Sequence, residues 1–345
     1  MKKNFIAGKA EYFLVKSLYA IINFLPVNCA LAFGRFLGIT FYRLDKKHAK
    51  SVISNLKIAF GIFKDNGKEN KNDEDLKKIA INFYKNLGMI FIEIFRLNKY
   101  NKENIDNFVE ADFSNIKDIY GEEPILLLTA HFGNWELLAK TFSLKGYRGN
   151  VLARPLDNEY IEQILYKLRT ASGNKVIYNR ENAVKEILTA INNNEIIGFL
   201  PDENASKRIG IFVDFFGKSA CTMPGIANIA AKTRATVVPA FIVRQTGYDY
   251  DIGNAAHSNN SAAESGNTVV KNKGIYRSGI QKKSYCKHKL IIGKPLKIDY
   301  TGNRKEDVMN ILNIFNRTIE DIIKEYPEQW FWIHNRWKTR PDNDK

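Results

Sequence analysis

Short apolar runs, each closed by a polar turn and followed by apolar residues at helical spacing, recur along the chain from about residue 124 to residue 324. The first, over 125–129, is a continuous aliphatic stretch introduced by Gly121 and Pro124. Such a run predicts a strand buried on both faces, as parallel strands are. From Trp135 through Leu137, Leu138 and Ala139 the spacing turns helical, with Gly133 or Asn134 placed to cap the helix. The alternation continues with strands over 150–153, 175–178, 195–200, 236–243 and 289–292 and helices over 158–171, 183–192 and 305–324; another helix starts at Thr222-Met-Pro-Gly. Alternating strands and helices predict an α/β fold with a mainly parallel central sheet flanked by helices.

The two ends of this region read differently. Residues 12–42 are apolar, and 17–34 carry no charge between Lys16 and Arg35. A bilayer core asks for about 20 such residues in a helix. Residues 1–45 are therefore expected to form a hydrophobic helical membrane anchor, retained because no small-residue cleavage site follows it. The other reading is a pair of buried helices over 12–25 and 28–42, broken at Pro26. Arg43, Lys46, Lys47, His48 and Lys50 come next, a basic cluster suited to anionic headgroups on the cytoplasmic side. Residues 64–78 read as a solvated connector. From 76 to 97, Ile79, Phe83, Leu87, Ile90, Ile94 and Leu97 recur at helical steps and predict an amphipathic helix facing a core. Residues 245–287 are rich in Asn, Ser, Gly and Lys and read as a polar insertion. The expected organisation is an anchoring segment (1–45) and one domain (46–340) carrying that insertion.

At 345 residues and 45% hydrophobic content, the chain is long and apolar enough for a sizeable core. A net charge of +15 favours polyanionic partners, whether nucleic acid, anionic lipid or an acidic protein. Cys29, Cys221 and Cys286 are scattered without C-x-x-C spacing, so neither a disulfide framework nor a zinc site is indicated and a reducing compartment fits.

Candidate chemistry gathers where predicted strands end. His131 lies just past the run over 125–129, and the crevice beyond strand carboxyl ends is the usual ligand site of open α/β sheets. Five residues on is Glu136. Within one helix the two would point about 140° apart. With His131 on the turn and Glu136 in the first helical turn they can converge, and the carboxylate would hold the imidazole in one tautomer as a general base. The plainer reading makes Glu136 a carboxylate favoured at a helix N-terminus and His131 a turn residue. Arg154 and Asp202 also follow predicted strands, which would put His131, Arg154 and Asp202 along one sheet edge; each of the latter two also suits a surface ion pair or a turn cap. Near the C-terminus Trp330, Phe331, Trp332, His334, Arg336, Trp337, Lys338 and Arg340 interleave aromatics with cations. That pattern suits a phosphorylated amphiphile, and without any nucleic-acid fold signature a nucleic-acid partner is not expected. Trp332 and Trp337 also suit packing of the last helix on the sheet.

The blocks HFGNWELL (131–138), ARP (153–155), PDEN (201–204), FVDFFG (212–217), TMPGIANIAAKTRATVVPAF (222–241) and PEQWFWIHNRWKTRP (327–341) resemble, in order, the bacterial lipid A biosynthesis acyltransferases, of the H-x4-D/E lysophospholipid-acyltransferase-like superfamily. The resemblance implies a glycerolipid-acyltransferase-like fold and a catalytic pair at His131 and Glu136. It also implies a role for Arg154 from the Arg-Pro block. Where such proteins usually read Asp-Gln this chain has Asp202-Glu203, so only Asp202 carries over. Asp202, Asn134, Arg154, Arg336, Lys338 and Arg340 are expected to bind substrates, with Arg154 and amides near Gly133 as oxyanion donors. Phe212 to Phe216 would wall an acyl groove or fill the core. The implied donor is acyl carrier protein and the implied acceptor an anionic glycolipid, a lipid A precursor, at the cytoplasmic side of the inner membrane, with no cofactor or metal. An acyltransferase acting on another glycerolipid, a mannoside lipid or an aminolipid, or a nonenzymatic membrane-binding protein, is the alternative.

Overall fold

The computed structural model describes residues 5–61, 72–245 and 288–341. In chain order the elements are α1 (Phe5–Phe24), α2 (Val27–Leu44), α3 (Lys46–Phe60), α4 (Asp73–Phe95), β1 (Val109–Ala111), α5 (Ser114–Lys117), β2 (Ile125–Leu128) and α6 (Trp135–Leu144). There follow β3 (Gly149–Ala153), α7 (Glu159–Thr170), β4 (Lys175–Tyr178), α8 (Ala183–Asn192), β5 (Ile196–Phe199) and a hairpin of β6 (Ile211–Phe215) and β7 (Lys218–Thr222). The chain then forms α9 (Gly225–Thr233), β8 (Thr236–Arg244), β9 (His288–Ile292) and α10 (Arg304–Glu325).

Among the described residues seven strands make the central sheet, in the order β1-β9-β8-β2-β5-β3-β4. Every neighbouring pair is parallel except β8 and β9. The mainly parallel α/β sheet flanked by helices is thus borne out. β2 shows why its sequence is apolar throughout: Leu126 and Leu128 enter one core, with Phe315 and Ile319 of α10 and Ile187 of α8, while Ile125 and Leu127 enter the other, with Leu137 and Phe142 of α6. Successive strand side chains point to opposite faces, so a strand covered on both sides has no polar position to spare.

The N-terminal anchor is corrected. Among the described residues no helix is long and apolar enough to cross a membrane. Pro26 divides the apolar stretch into two helices; α1 carries Lys9, Glu11 and Lys16 and α2 carries Arg35 and Arg43. The apolar residues serve packing: Ile22, Ala30 and Leu31 are buried with Met89, Ile92 and Phe95 of α4. Asn23 donates to Phe95 O (2.8 Å), and Arg96 donates to Ile22 O (2.6 Å) and Leu25 O (2.9 Å). Glycine makes the closest approach possible, because a Cβ at Gly38 would lie 2.0 Å from Tyr84 O and one at Gly88 2.0 Å from Gly34 O. The outward faces keep Leu14, Phe24, Phe36 and Leu44 exposed.

The expected connector over 64–78 is partly helix, since α4 begins at Asp73 with Asn72 accepting from the Asp75 amide (2.8 Å); 62–71 lie outside the described residues. The polar insertion over 245–287 lies, from residue 246 on, outside them too. Phe215 and Phe216 are core, packed on Trp330, Trp337 and Phe60.

Candidate active site

The sheet register brings His131 to a partner that lies 71 residues on in the sequence. β2 and β5 are parallel neighbours with Leu128 opposite Phe199, and the Thr129 amide extends the ladder by donating to Phe199 O (3.1 Å). His131 and Asp202 each lie three residues beyond that matched pair. They leave adjacent strands at the same carboxyl edge and meet there. Nδ1–H of His131 donates to Oδ1 of Asp202 (2.9 Å) and the His131 amide donates to Oδ2 (2.9 Å). Trp330 adds a third donor, its Nε1–H reaching Oδ2 at 2.8 Å.

The carboxylate is 3% exposed, so its ionised form needs these donors. Burial works to raise the Asp202 pKa, but the charge of His131 and the bonds from His131 and Trp330 outweigh it and hold the carboxyl below its ordinary value. For His131 burial works downward; the Asp202 charge and hydrogen bond outweigh it and leave the imidazole raised above its ordinary value, with smaller upward contributions from Glu203 and Glu136. An ionised Asp202 fixes the proton on Nδ1 and leaves Nε2 with a lone pair. That nitrogen lies 3.8 Å from the exposed Glu203 carboxylate, and the side chain remains 23% accessible.

The turn carrying His131 is pinned on its far side. The Gly133 amide donates to Gln329 O (2.8 Å), the Phe331 amide donates to His131 O (2.9 Å), and Phe132 bridges Trp330. Gly133 has φ +54°, and a Cβ there would meet Ile242 O at 1.9 Å, so this position admits glycine alone. Since the amides of His131, Phe132 and Gly133 all donate within the protein, the expected oxyanion donor near Gly133 is already engaged.

The other expected site residues separate into three groups. Glu136, in the first turn of α6, is buried and bonded by both oxygens to Arg169 of α7 rather than to His131. Asn134 and Arg336 are structural in their contacts. Asn134 caps α6 by accepting from the Leu137 amide (3.0 Å) and donates to Glu93 (3.0 Å). Arg336 is 0% exposed, donates to Cys221 O (2.8 Å), Glu203 O and Thr222 Oγ1, and sits over the Phe215 ring. Burial lowers its pKa to about 10. The phosphate contact expected of Arg336 is therefore closed off by its own surroundings. Arg154, Lys338 and Arg340 are exposed, and Arg154 follows β3 directly at the same sheet edge as His131 and Asp202.

Sequence reasoning missed Arg169, and named Trp330 and His334 without their contacts. His334 accepts at Nε2 from the Asn204 amide (3.4 Å), and burial lowers its pKa. Trp330 and His334 both fall inside the aromatic and cationic block at 327–341, read for its lipid-facing character rather than for hydrogen bonds.

A histidine oriented by a buried carboxylate at the carboxyl edge of an α/β sheet, with its second nitrogen partly exposed, has the geometry a general base requires. The family model for bacterial lipid A biosynthesis acyltransferase matches residues 3–272 and 279–339, and the chain belongs to that family, as the six sequence blocks imply; it is an acyltransferase. It is similar to the lipid A biosynthesis lauroyltransferase of Escherichia coli (strain K12), 24% identical over 92% of this chain and 88% of that protein. The lipid A biosynthesis palmitoleoyltransferase of the same strain is 25% identical over 92% and 86%, and a lipid A biosynthesis acyltransferase of Haemophilus influenzae 22% over 94% and 86%.

Proposed function

We propose that the protein moves a fatty acyl chain from an acyl thioester, carried by acyl carrier protein, to a hydroxyl of an anionic glycolipid, a lipid A precursor, at the cytoplasmic face of the inner membrane. The observation that carries this reading is the His131–Asp202 pair with Nε2 left open. His131 takes the proton of the acceptor hydroxyl, the oxygen attacks the thioester carbonyl, and the tetrahedral intermediate collapses with loss of thiolate. The leaving sulfur receives the proton back from Nε2–H. Asp202 holds the tautomer and stabilises the imidazolium. Glu136 acts on His131 through its field, held in place by Arg169. Arg154 supplies positive charge to the oxyanion, while Lys338 and Arg340 face the anionic acceptor. Asn134 and Arg336 serve substrates indirectly, by shaping the walls. The name of the similar lauroyltransferase and the net charge of +15 support the acceptor and an acidic carrier.

The test is mass spectrometry of products from purified protein, an acyl-carrier thioester and a phosphorylated glycolipid acceptor. Wild type should add one acyl mass, and His131→Ala, still folded by circular dichroism, should lose roughly 10²–10⁴-fold in rate. An unchanged rate in that variant would sink the assignment.

A further inference from the structure

A groove of about 790 Å³, with neither His131 nor Asp202 in its lining, is bounded by the end of α2, by α3, by Lys77 of α4, by Lys218 at the start of β7 and by Arg340. Its floor is apolar, formed by Tyr42, Ala49, Ile53 and Ile58. Its polar lining is almost wholly cationic: Lys46, Lys50, Lys57, Lys77, Lys218 and Arg340, with no carboxylate among the lining residues. Lys57 pairs with Asp73 (2.9 Å). The other five make no ion pair among the described residues.

Like charges gathered without counter-charges repel one another, and an occupant that neutralises them relieves that cost. The groove also falls within the range of about 300–1,000 Å³ typical of small-molecule sites. We propose that it binds the phosphate-bearing headgroup of an anionic lipid, phosphate on the lysines and arginine and the adjoining hydrocarbon on the Tyr42 and Ile53 floor. An acidic protein surface would match the charge alone. A concave, apolar floor beneath a cationic rim matches an amphiphile.

The groove is tied to the catalytic pair through the chain. Beside Arg340, Thr339 accepts at Oγ1 from Asn204 Nδ2 (3.0 Å) and its amide donates to Asn204 Oδ1 (3.1 Å). Asn204 follows Glu203, whose carboxylate approaches His131 Nε2 at 3.8 Å. The inference deepens the proposed function and rests on it in one respect, that the lipid seated here is the acyl acceptor held by its phosphate.

Binding is read by titration calorimetry on the full chain carrying His131→Ala, so that no turnover intervenes. The probes are dioctanoyl phosphatidic acid, dioctanoyl phosphatidylcholine, inorganic phosphate and unacylated acyl carrier protein. The expected result is measurable binding of phosphatidic acid, weaker binding of the zwitterionic lipid and of phosphate, and a loss of about tenfold or more when Lys46→Ala, Lys50→Ala and Lys218→Ala are combined. An unchanged melting temperature shows the triple variant to be folded. Equal phosphatidic acid binding by that variant overturns the site. Inorganic phosphate binding as tightly as the lipid overturns the lipid assignment. Loss of carrier-protein binding with lipid binding intact gives the groove to an acidic protein and overturns it too. In the wild-type background the triple variant should raise the acceptor KM about tenfold and leave kcat unchanged. An unchanged KM alongside normal acyl transfer defeats this inference alone; lipid binding with no acyl transfer by wild type defeats the proposed function alone.

Discussion

His131 can act as a base only with Nε2 unprotonated, and Asp202 works against that condition while fixing the right tautomer. Burial lowers the imidazole pKa, Asp202 more than offsets it, and the net position is above the ordinary 6.5. The rate should therefore fall as pH drops through a value above 6.5, when protonation of Nε2 removes the base. Asp202→Asn removes the raising charge and leaves burial, so the acid limb of kcat/KM should move to lower pH while kcat drops roughly 10²–10⁴-fold through loss of orientation. A limb that stays put would show that Asp202 does not govern His131. Glu136 poses a different test, because its partner is Arg169, itself 12% exposed. Removing either leaves the other charge buried and unpaired. Glu136→Ala and Arg169→Ala should each lower activity, and the double variant should be little worse than the more damaging single one. Additive losses would separate the two. The sequence named His131, Glu136 and Asp202 but paired the histidine with its near neighbour. Spacing reports on residues sharing a turn or helix, whereas the meeting of His131 with Asp202 depends on β5 lying beside β2, which no local pattern encodes.

Elements were more legible than partners. The periodicity over 76–97 anticipated α4, and the runs at 175–178 and 183–192 coincide with β4 and α8, because burial of one face of a helix or strand writes itself directly into residue order. The N-terminal stretch misled because the same apolar composition serves a bilayer or a close helix pair, and only Pro26 and the small residues Gly34 and Gly38 argue for the pair. Hidden from any pattern is the charge network on which these elements converge. Arg244 of β8 forms a two-pronged pair with Glu93 of α4 (2.7 and 2.8 Å), Glu93 accepts from Asn134 at the α6 cap, and Gln329 links Arg244 to the Gly133 amide. Burial opposes the Glu93 charge, but the charges of Arg244 and His288 and the hydrogen bonds from both outweigh it and hold the carboxyl well below the usual range. Glu93→Gln removes the buried carboxylate that Arg244 and His288 face and should cost about 3–5 kcal/mol by urea denaturation. Because the folded pKa of Glu93 is depressed, its contribution is full above the ordinary 4.5 and is lost as pH falls toward the folded value. The stability gap between wild type and variant should therefore narrow on acidification below about 4.5. A gap constant with pH would mean that Glu93 is not the ionised partner.

At the scale of the whole molecule, what matters is whether α1 and α2 are an appendage or part of the fold. Their buried residues share a core with Met89, Ile92 and Phe95 on one side of α4, the helix whose other residues reach the sheet core and whose Glu93 holds the α6 cap. Deleting residues 1–44 would strip Ile22, Ala30 and Leu31 from that core and leave Arg96 without the carbonyls of Ile22 and Leu25. Met89, Ile92 and Phe95 would be left facing solvent, and at about 1.5–3 kcal/mol for each large apolar side chain that loss is comparable with a typical margin of about 5–15 kcal/mol. The truncated chain should aggregate, or unfold at much lower urea, and its damage should travel to His131 through Glu93, Asn134 and the turn at Gly133. Hydrogen exchange in α4 and the β2–α6 turn, measured beside size-exclusion behaviour and acyl transfer, reads this directly. A monodisperse truncated protein with native protection in α4 and full activity would show that α1 and α2 contribute neither to stability nor to the site, and the coupling argued here would fall.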